Sequence, residues 1–249
     1  MSPGPHASAS SSGEPVNSLG RDAGRSLFWS AYALVYDLIW DSPLTRKVAD
    51  SVADASDDSL TRGRPTQRPV VDLGCGTGLV SRSLTERGIG VVGVDASAAM
   101  LRRAQLTGRL TRAVHADAAL TRLDPGQMRA AVAVNLLHVH ADPASVIAEA
   151  VRLVAPGAAI VLVWPTDDVT PTTLNRLELQ LGRPRLQVAS ADAARLTVGL
   201  LGQIVGARRH SHQALRGAVR QAANMGSVRV CSEQVLEGCQ HLLTLRATF

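Results

Sequence analysis

Short, mostly apolar runs recur along this chain and alternate with stretches of helical periodicity. The runs are Val70–Leu73, Gly90–Asp95, Leu110–Val114, Ala130–Asn135 and Ala159–Trp164, rich in valine and alanine. Runs of this kind, bounded by glycine or by acids, predict strands buried on both faces of a parallel sheet. Between them lie helical patterns. One carries Leu79, Val80 and Leu84 and stops at Gly88, and one carries Met100 and Leu101. A third starts at Asp142-Pro143 and runs to about Val154, with proline at the first helical position. Strand–helix alternation of this sort predicts an α/β fold. Further helices are predicted around 172–181, 190–206 and 211–225, followed by two closing strands over 227–231 and 241–248.

Ahead of the first strand the pattern changes. Residues 24–55 read as helical, and five of the seven Phe, Trp and Tyr residues fall between Phe28 and Trp40. Phe28, Tyr32, Tyr36 and Trp40 are spaced at i, i+4, i+8 and i+12, which keeps them near one helix face. Such a stripe packs a helix onto the sheet, or lids a pocket with a tyrosine hydroxyl turned inward; the two readings are compatible. Residues 1–20 are rich in Ser, Pro and Gly and lack apolar periodicity, so a disordered tail is expected, followed by one domain over 21–249. Residues 56–68 are polar, contain Gly and Pro, and read as a link into the first strand.

Composition changes this picture little. A chain of 249 residues with 45% hydrophobic content supports one α/β domain with additions. It has no apolar run long enough for a membrane span and no secretory signal pattern. Cys75, Cys231 and Cys239 have neither metal-site spacing nor a disulfide framework, so a cytoplasmic protein without a metal is expected. The net charge of +5 rests on arginine, with Lys47 the single lysine. That bias reads as base composition more than as a nucleic-acid footprint, though some attraction to anionic partners remains.

The chemistry concentrates at Val70-Val71-Asp72-Leu73-Gly74-Cys75-Gly76-Thr77-Gly78. A strand that runs into glycines at alternate positions and then into a helix forms a backbone cradle for a polar ligand. Asp72, inside the strand, needs hydrogen-bond partners to be tolerated. The dinucleotide fingerprint requires a third glycine where Leu79 stands, which argues against an NAD-linked dehydrogenase.

The nine-residue stretch resembles the first motif of class I S-adenosylmethionine-dependent methyltransferases, and five further segments, one before it and four after it, resemble that family. Ala33-Leu34-Val35-Tyr36-Asp37 is similar to its A-x-x-Y-D segment. Asp95-Ala96-Ser97 with Met100 is similar to its second motif, and Asp117-Ala118 to the acid after its third strand. Leu136-Leu137-His138-Val139-His140-Ala141-Asp142-Pro143 is similar to the Leu-His-His-x-x-Asp-Pro segment of small-molecule members. Arg152 to Ala158 is similar to the turn before the fifth strand.

The resemblance implies a Rossmann-like sheet of seven strands in the order 3-2-1-4-5-7-6, with the last strand antiparallel. An N-terminal helical lid (24–55) and a helical cap (166–226) between strands five and six would complete it. It also implies S-adenosylmethionine as cofactor. Gly74, Cys75, Gly76, Thr77 and Gly78 would cradle the methionine portion and Asp72 its ammonium. Asp95 and Ala96 would meet the ribose, Asp117 and Ala118 the adenine, with Met100 against the adenine or in the core and Asn135 at the fourth strand tip. His138 and His140 are the candidate bases. Tyr32, Tyr36 and Trp164 would wall the acceptor pocket. The expected acceptor is a small molecule methylated on O or N, by a monomer or homodimer. Nucleic acid is disfavoured because neither Asn-Pro-Pro-Tyr nor a Pro-Cys nucleophile occurs. An RNA or protein methyltransferase and a non-catalytic protein of this fold are the alternatives. The arginines and histidines of the cap (Arg176, Arg183, Arg185, Arg208, Arg209, His210, His212) read as solvated.

Overall fold

The structure, a computed structural model, describes residues 28–57, 67–204 and 210–248, without the side chains of 201–204. The predicted tail (1–20), most of the predicted link (58–66), and Arg208 and Arg209 lie outside the described residues.

The first parallel strand, β1 (Val70–Leu73), is buried along its whole length. It pairs in parallel with β2 (Val91–Asp95) on one side and with β4 (Met128–Val134) on the other. The sheet continues outward from β2 to β3 (Arg112–His115), and from β4 to β5 (Val154–Pro165). Two strands close it, β6 (Val228–Leu236) at the edge and β7 (Gln240–Ala247) between β6 and β5, with β7 running antiparallel to both neighbours. The order is β3-β2-β1-β4-β5-β7-β6, as the family resemblance implies.

The apolar runs form strands because both faces are covered. Successive residues alternate between two cores. On one face Val70, Val91, Ala130, Val132 and Val161 meet Val48 and Val52 of α3 (Pro43–Asp57) and Leu84 of α4 (Leu79–Glu86). On the other, Val71, Leu73 and Val94 share a core with Val146 and Ile147 of α6 (Pro143–Leu153) and Leu215 and Val219 of α9 (His212–Asn224). Each fully buried side chain of this size contributes about 1.5–3 kcal/mol of transfer free energy. Asp142 caps α6, accepting from the Ser145 N–H, and Pro143 stands in its first turn, as the dipeptide predicts. α5 (Ala98–Leu106) is capped by Ser97 in the same way.

Three boundaries differ from expectation. The aromatic stripe does not ride one helix: α1 (28–32) and α2 (Tyr36–Trp40) are separated by a turn at 33–35. β5 begins earlier than predicted because Val154 already pairs with Met128, ahead of an irregularity at Pro156-Gly157. β6 extends to Leu236 because an edge strand exposed on nearly all its residues tolerates Glu233 and Gln234. A bulge at Cys231 interrupts its ladder with β7, which blunts the open edge.

The cap between β5 and β6 consists of α7 (Pro171–Gln180), α8 (Arg185–Ile204) and α9, with α8 packed on α2. Among the described residues no helix is long and apolar enough to cross a membrane.

Candidate functional site

The C-terminal tips of β1, β2, β4 and β5 and the start of α4 meet at one edge of the sheet, where open α/β sheets bind ligands. Gly74, Gly76 and Gly78 have φ of +70°, +54° and +76°, a region disfavoured for side-chain-bearing residues. A Cβ on Gly74 would stand 2.7 Å from Leu136 Cδ1, and one on Gly78 2.9 Å from Arg109 Cβ. Both positions are therefore closed to a side chain by space as well as by conformation. A Cβ on Gly76 would find Tyr36 at an ordinary 3.7 Å, so there the backbone conformation alone requires glycine. Cys75 and Thr77 are buried within the turn. α4 begins at Leu79 with no side chain capping its first N–H groups.

Two carboxylates flank the turn from behind. Asp72 is 2% exposed, and Ser81 Oγ–H donates to it at 2.6 Å. Burial chiefly, and the nearby Asp95 charge, push its carboxyl up to about 7 against the Ser81 bond. Asp95 accepts the Gly76 N–H at 2.9 Å and the Ser97 N–H at 2.8 Å, tying the tip of β2 to the glycine turn. Burial raises its carboxyl too, opposed by those two N–H groups and by His115. The neighbouring Ala96 is exposed, and its carbonyl accepts from His115 Nε2–H at 2.9 Å. Met100 is buried in α5.

The N-terminal segment closes over this cradle. Tyr36 lies beside Gly76, and burial together with the surrounding Tyr32, Asp95, Asp72 and Asp37 holds its phenol well above the ordinary range. Tyr32 and Tyr36 stack edge to face with centroids 5.1 Å apart, and Trp40 Nε1–H donates to the Tyr32 hydroxyl at 2.5 Å. The segment is pinned by Asp37, which accepts from Thr77 Oγ1 (2.5 Å), Arg103 Nε (2.9 Å) and Arg109 Nη1 (3.0 Å). Arg109 also donates to the Thr77 carbonyl, bracing the turn from below. The A-x-x-Y-D segment marks Asp37, but nothing in the sequence marks Arg103 or Arg109 as its partners.

At the third and fourth strands, Asp117 forms a local turn with the Ala119 N–H (2.7 Å), and the Ala118 side chain is buried. His140 Nε2 lies 3.1 Å from Asp117 Oδ1 and must donate there, which leaves Nδ1 to accept the Asp142 N–H at 3.0 Å. Both ring nitrogens of His140 are thus engaged, so it supplies no free base while these bonds hold. His138 is half-buried in the same loop. Asn135, at the tip of β4, is exposed with φ +53°. His210 is bound to this loop rather than solvated: its backbone N–H donates to the His138 carbonyl (2.8 Å) and its Nε2–H to the His140 carbonyl (2.9 Å).

Trp164 is almost fully buried at the end of β5. Its Nε1–H donates to His212 Nδ1 at 2.9 Å, and His212 stacks on His241 at 3.9 Å. His212, Glu233 and His241 are of metal-ligating type and close together. However, His212 Nδ1 accepts from Trp164, which leaves only its Nε2 to face a metal. The solvated reading also fails for Arg183, which is buried beneath the cap, whereas Arg176 and Arg185 are exposed.

The family match runs from β1 into β5. Residues 71–162 match the family described as a methyltransferase domain. The chain is 35% identical over 120 residues to an uncharacterized methyltransferase of Mycobacterium tuberculosis, covering 43% of this chain and 49% of that protein. It is 35% identical over 101 residues to a ubiquinone biosynthesis O-methyltransferase of Pseudomonas aeruginosa, covering 38% of this chain and 43% of that protein. The chain thus spans about half, or less, of the length of these relatives. Magnesium protoporphyrin IX methyltransferase from Synechocystis, solved with bound SAH, shares the fold with a TM-score of 0.53 at 16% identity, covering 96% of this chain and 90% of that one.

Proposed function

We infer, from the match of residues 71–162 to a methyltransferase domain, that this protein is a class I S-adenosylmethionine-dependent methyltransferase that transfers a methyl group to an O or N atom of a small-molecule acceptor. The observation that carries the reading is the turn at Gly76, set between the Asp95 carboxylate behind it and the Tyr36 ring in front. That is a backbone cradle with acids on one side and an aromatic lid on the other. The fit to the cofactor rests on Asp72. A carboxyl pushed up to about 7 by burial, with Ser81 as its hydrogen-bond partner, is short of a cation, which an α-ammonium group would supply.

When bound, S-adenosylmethionine supplies a methyl carbon made electrophilic by the adjacent sulfonium. The protein then has to bind, align and exclude water. In our reading Gly74, Gly76 and Gly78, with Cys75 and Thr77 between them, cradle the methionine portion while Asp72 takes the ammonium. Asp95 takes the ribose, with Ala96 beside it, by exchanging its hold on the Gly76 N–H for hydroxyl donors. Asp117 and Ala118 face the adenine, Met100 backs it from α5, and Asn135 borders the cleft. Tyr32 and Tyr36 cover the reacting region and keep water from it, and Trp164 backs the acceptor side. His138 accepts the proton when the acceptor is a hydroxyl. His140 orients Asp117. The ubiquinone and protoporphyrin activities of the two named proteins support a small acceptor.

Calorimetric titration of the protein with S-adenosylmethionine and S-adenosylhomocysteine tests the reading. Binding in the micromolar range is expected for both. Asp95→Ala should abolish it by removing a charge-assisted, two-point contact to the ribose. Absence of binding to either compound, or undiminished affinity in Asp95→Ala, sinks the assignment.

A further inference from the structure

The cap and the lid meet at a set of buried charges. Arg183 donates Nη1 to the Ile39 carbonyl (3.0 Å) and Nη2 to the Leu38 carbonyl (2.7 Å), satisfying the C-terminal end of α2. Arg195, on α8, lies beside it with a side chain only 9% exposed, its guanidinium 5.3 Å from the centre of the Trp40 ring. Its Nη1 donates to Asn175 Oδ1 at 2.8 Å. Its Nε and Nη2 are buried and have no hydrogen-bond partner among the described residues.

These two N–H groups form one edge of the guanidinium, the edge that grips a carboxylate or phosphate with two parallel bonds. The carboxylates nearby do not fill it. Glu178 Oε1 stands 4.0 Å from Arg195 Nη2 and 3.6 Å from Arg183 Nη1, beyond hydrogen-bond reach of Arg195, while Glu178 Oε2 and Asp192 Oδ1 have no hydrogen-bond partner among the described residues. Burial holds the Arg195 guanidinium below its ordinary value, with Arg183 adding to the effect and Glu178 and Asp192 opposing it. Both arginines thus stand at ion-pair distance from Glu178, but the pairing leaves the Arg195 edge buried without a hydrogen bond among the described residues, which is expensive.

We propose that Arg195 is the receptor for an anionic group, carboxylate or phosphate, carried by the methyl acceptor. The proposal rests on the methyltransferase reading for the identity of the bound molecule. From Arg195 a continuous aromatic row leads to the glycine turn: Trp40 beneath the guanidinium, Tyr32 hydrogen-bonded to Trp40, Tyr36 packed on Tyr32, and Gly76 beside Tyr36. A flat acceptor lying along this row has its anion at Arg195 and its nucleophilic atom toward the turn. Specificity then follows from the edge that an uncharged acceptor leaves unpaired.

The test uses the 249-residue chain, with benzoate and inorganic phosphate as probes and benzyl alcohol as the uncharged control. Binding is followed by calorimetry, with and without S-adenosylhomocysteine. The wild type should bind at least one of the two anions and not benzyl alcohol. Preference for benzoate identifies a carboxylate acceptor, preference for phosphate a phosphorylated one. Arg195→Gln should weaken anion binding by roughly tenfold or more, and Arg195→Lys by less, as charge without the two-point edge. Glu178→Gln should tighten it, because the competing carboxylate is gone. Failure of the wild type to bind either anion, or undiminished binding in Arg195→Gln, overturns the proposal. So does weakening in Glu178→Gln, the mark of a purely structural cluster; this arm decides the matter even if Arg195→Gln does not fold. S-adenosylhomocysteine binding without anion binding refutes this site and leaves methyl transfer standing. Arg195-dependent anion binding without S-adenosylhomocysteine binding does the reverse.

Discussion

Asp72 sets a stabilising requirement against a functional one, and Asp72→Asn separates them. In the unfolded chain this carboxyl titrates near 3.8, and in the folded protein burial moves it to about 7. Between these values the folded state holds a proton that the unfolded state has released, so stability falls as pH rises through the window. It is level below 3.8, where both states are protonated, and above 7, where both are ionised. About three pH units at 1.36 kcal/mol each give an upper bound of about 4 kcal/mol. Asparagine keeps an oxygen to accept from Ser81 Oγ–H, nearly the same volume and no charge. The variant should therefore match the wild type near pH 4 and exceed it near pH 8, by as much as about 4 kcal/mol. Urea unfolding followed by circular dichroism at several pH values reads this directly. Subtracting variant from wild type cancels the other titrating groups that Asp72 does not touch. A difference that stays constant between about pH 4 and pH 8 refutes the account, because it would mean that the buried carboxyl is ionised throughout at no cost. The same variant should bind S-adenosylmethionine more weakly, having lost the partner of its ammonium.

Three further outcomes follow from the geometry. Gly74→Ala should destabilise the protein by roughly 2–3 kcal/mol, from a left-handed backbone and contact with Leu136; adding Leu136→Ala should restore the steric part only, as read from thermal melts. His138→Ala should lower turnover more than cofactor affinity, whereas His140→Ala should chiefly change cofactor affinity by releasing Asp117. Comparable losses of turnover and affinity in His138→Ala would show that residue to be structural.

Much of the frame could be read from local pattern. The valine-rich runs, the alternate glycines and the acids at Asp72 and Asp95 are each short-range signals, and they lie where the fold required them. The Asp142-Pro143 helix start was equally legible, because a cap is a contact within three residues. Strand ends were less so. The early start of β5 depends on Met128, and the length of β6 depends on its edge position, neither of which is marked within the strands themselves. The solvated reading of Arg183 failed for the same reason: its partners are the carbonyls of Leu38 and Ile39, 145 and 144 residues earlier in the chain.

By itself, then, the sequence determined the alternation of strands and helices and the conformation of the glycine turn, because periodicity and backbone permissiveness are properties of neighbouring residues. Only the tertiary structure decided which charges are buried and what each one meets. Asp37 reaches Arg103 and Arg109 across 66 and 72 residues of chain, His140 turns one nitrogen to Asp117 and the other to Asp142, and Arg195 of the cap holds an edge that is unbonded among the described residues. The cost of a buried charge depends on every element packed around it, and that environment exists only once the lid, the cap and the strand tips have come together.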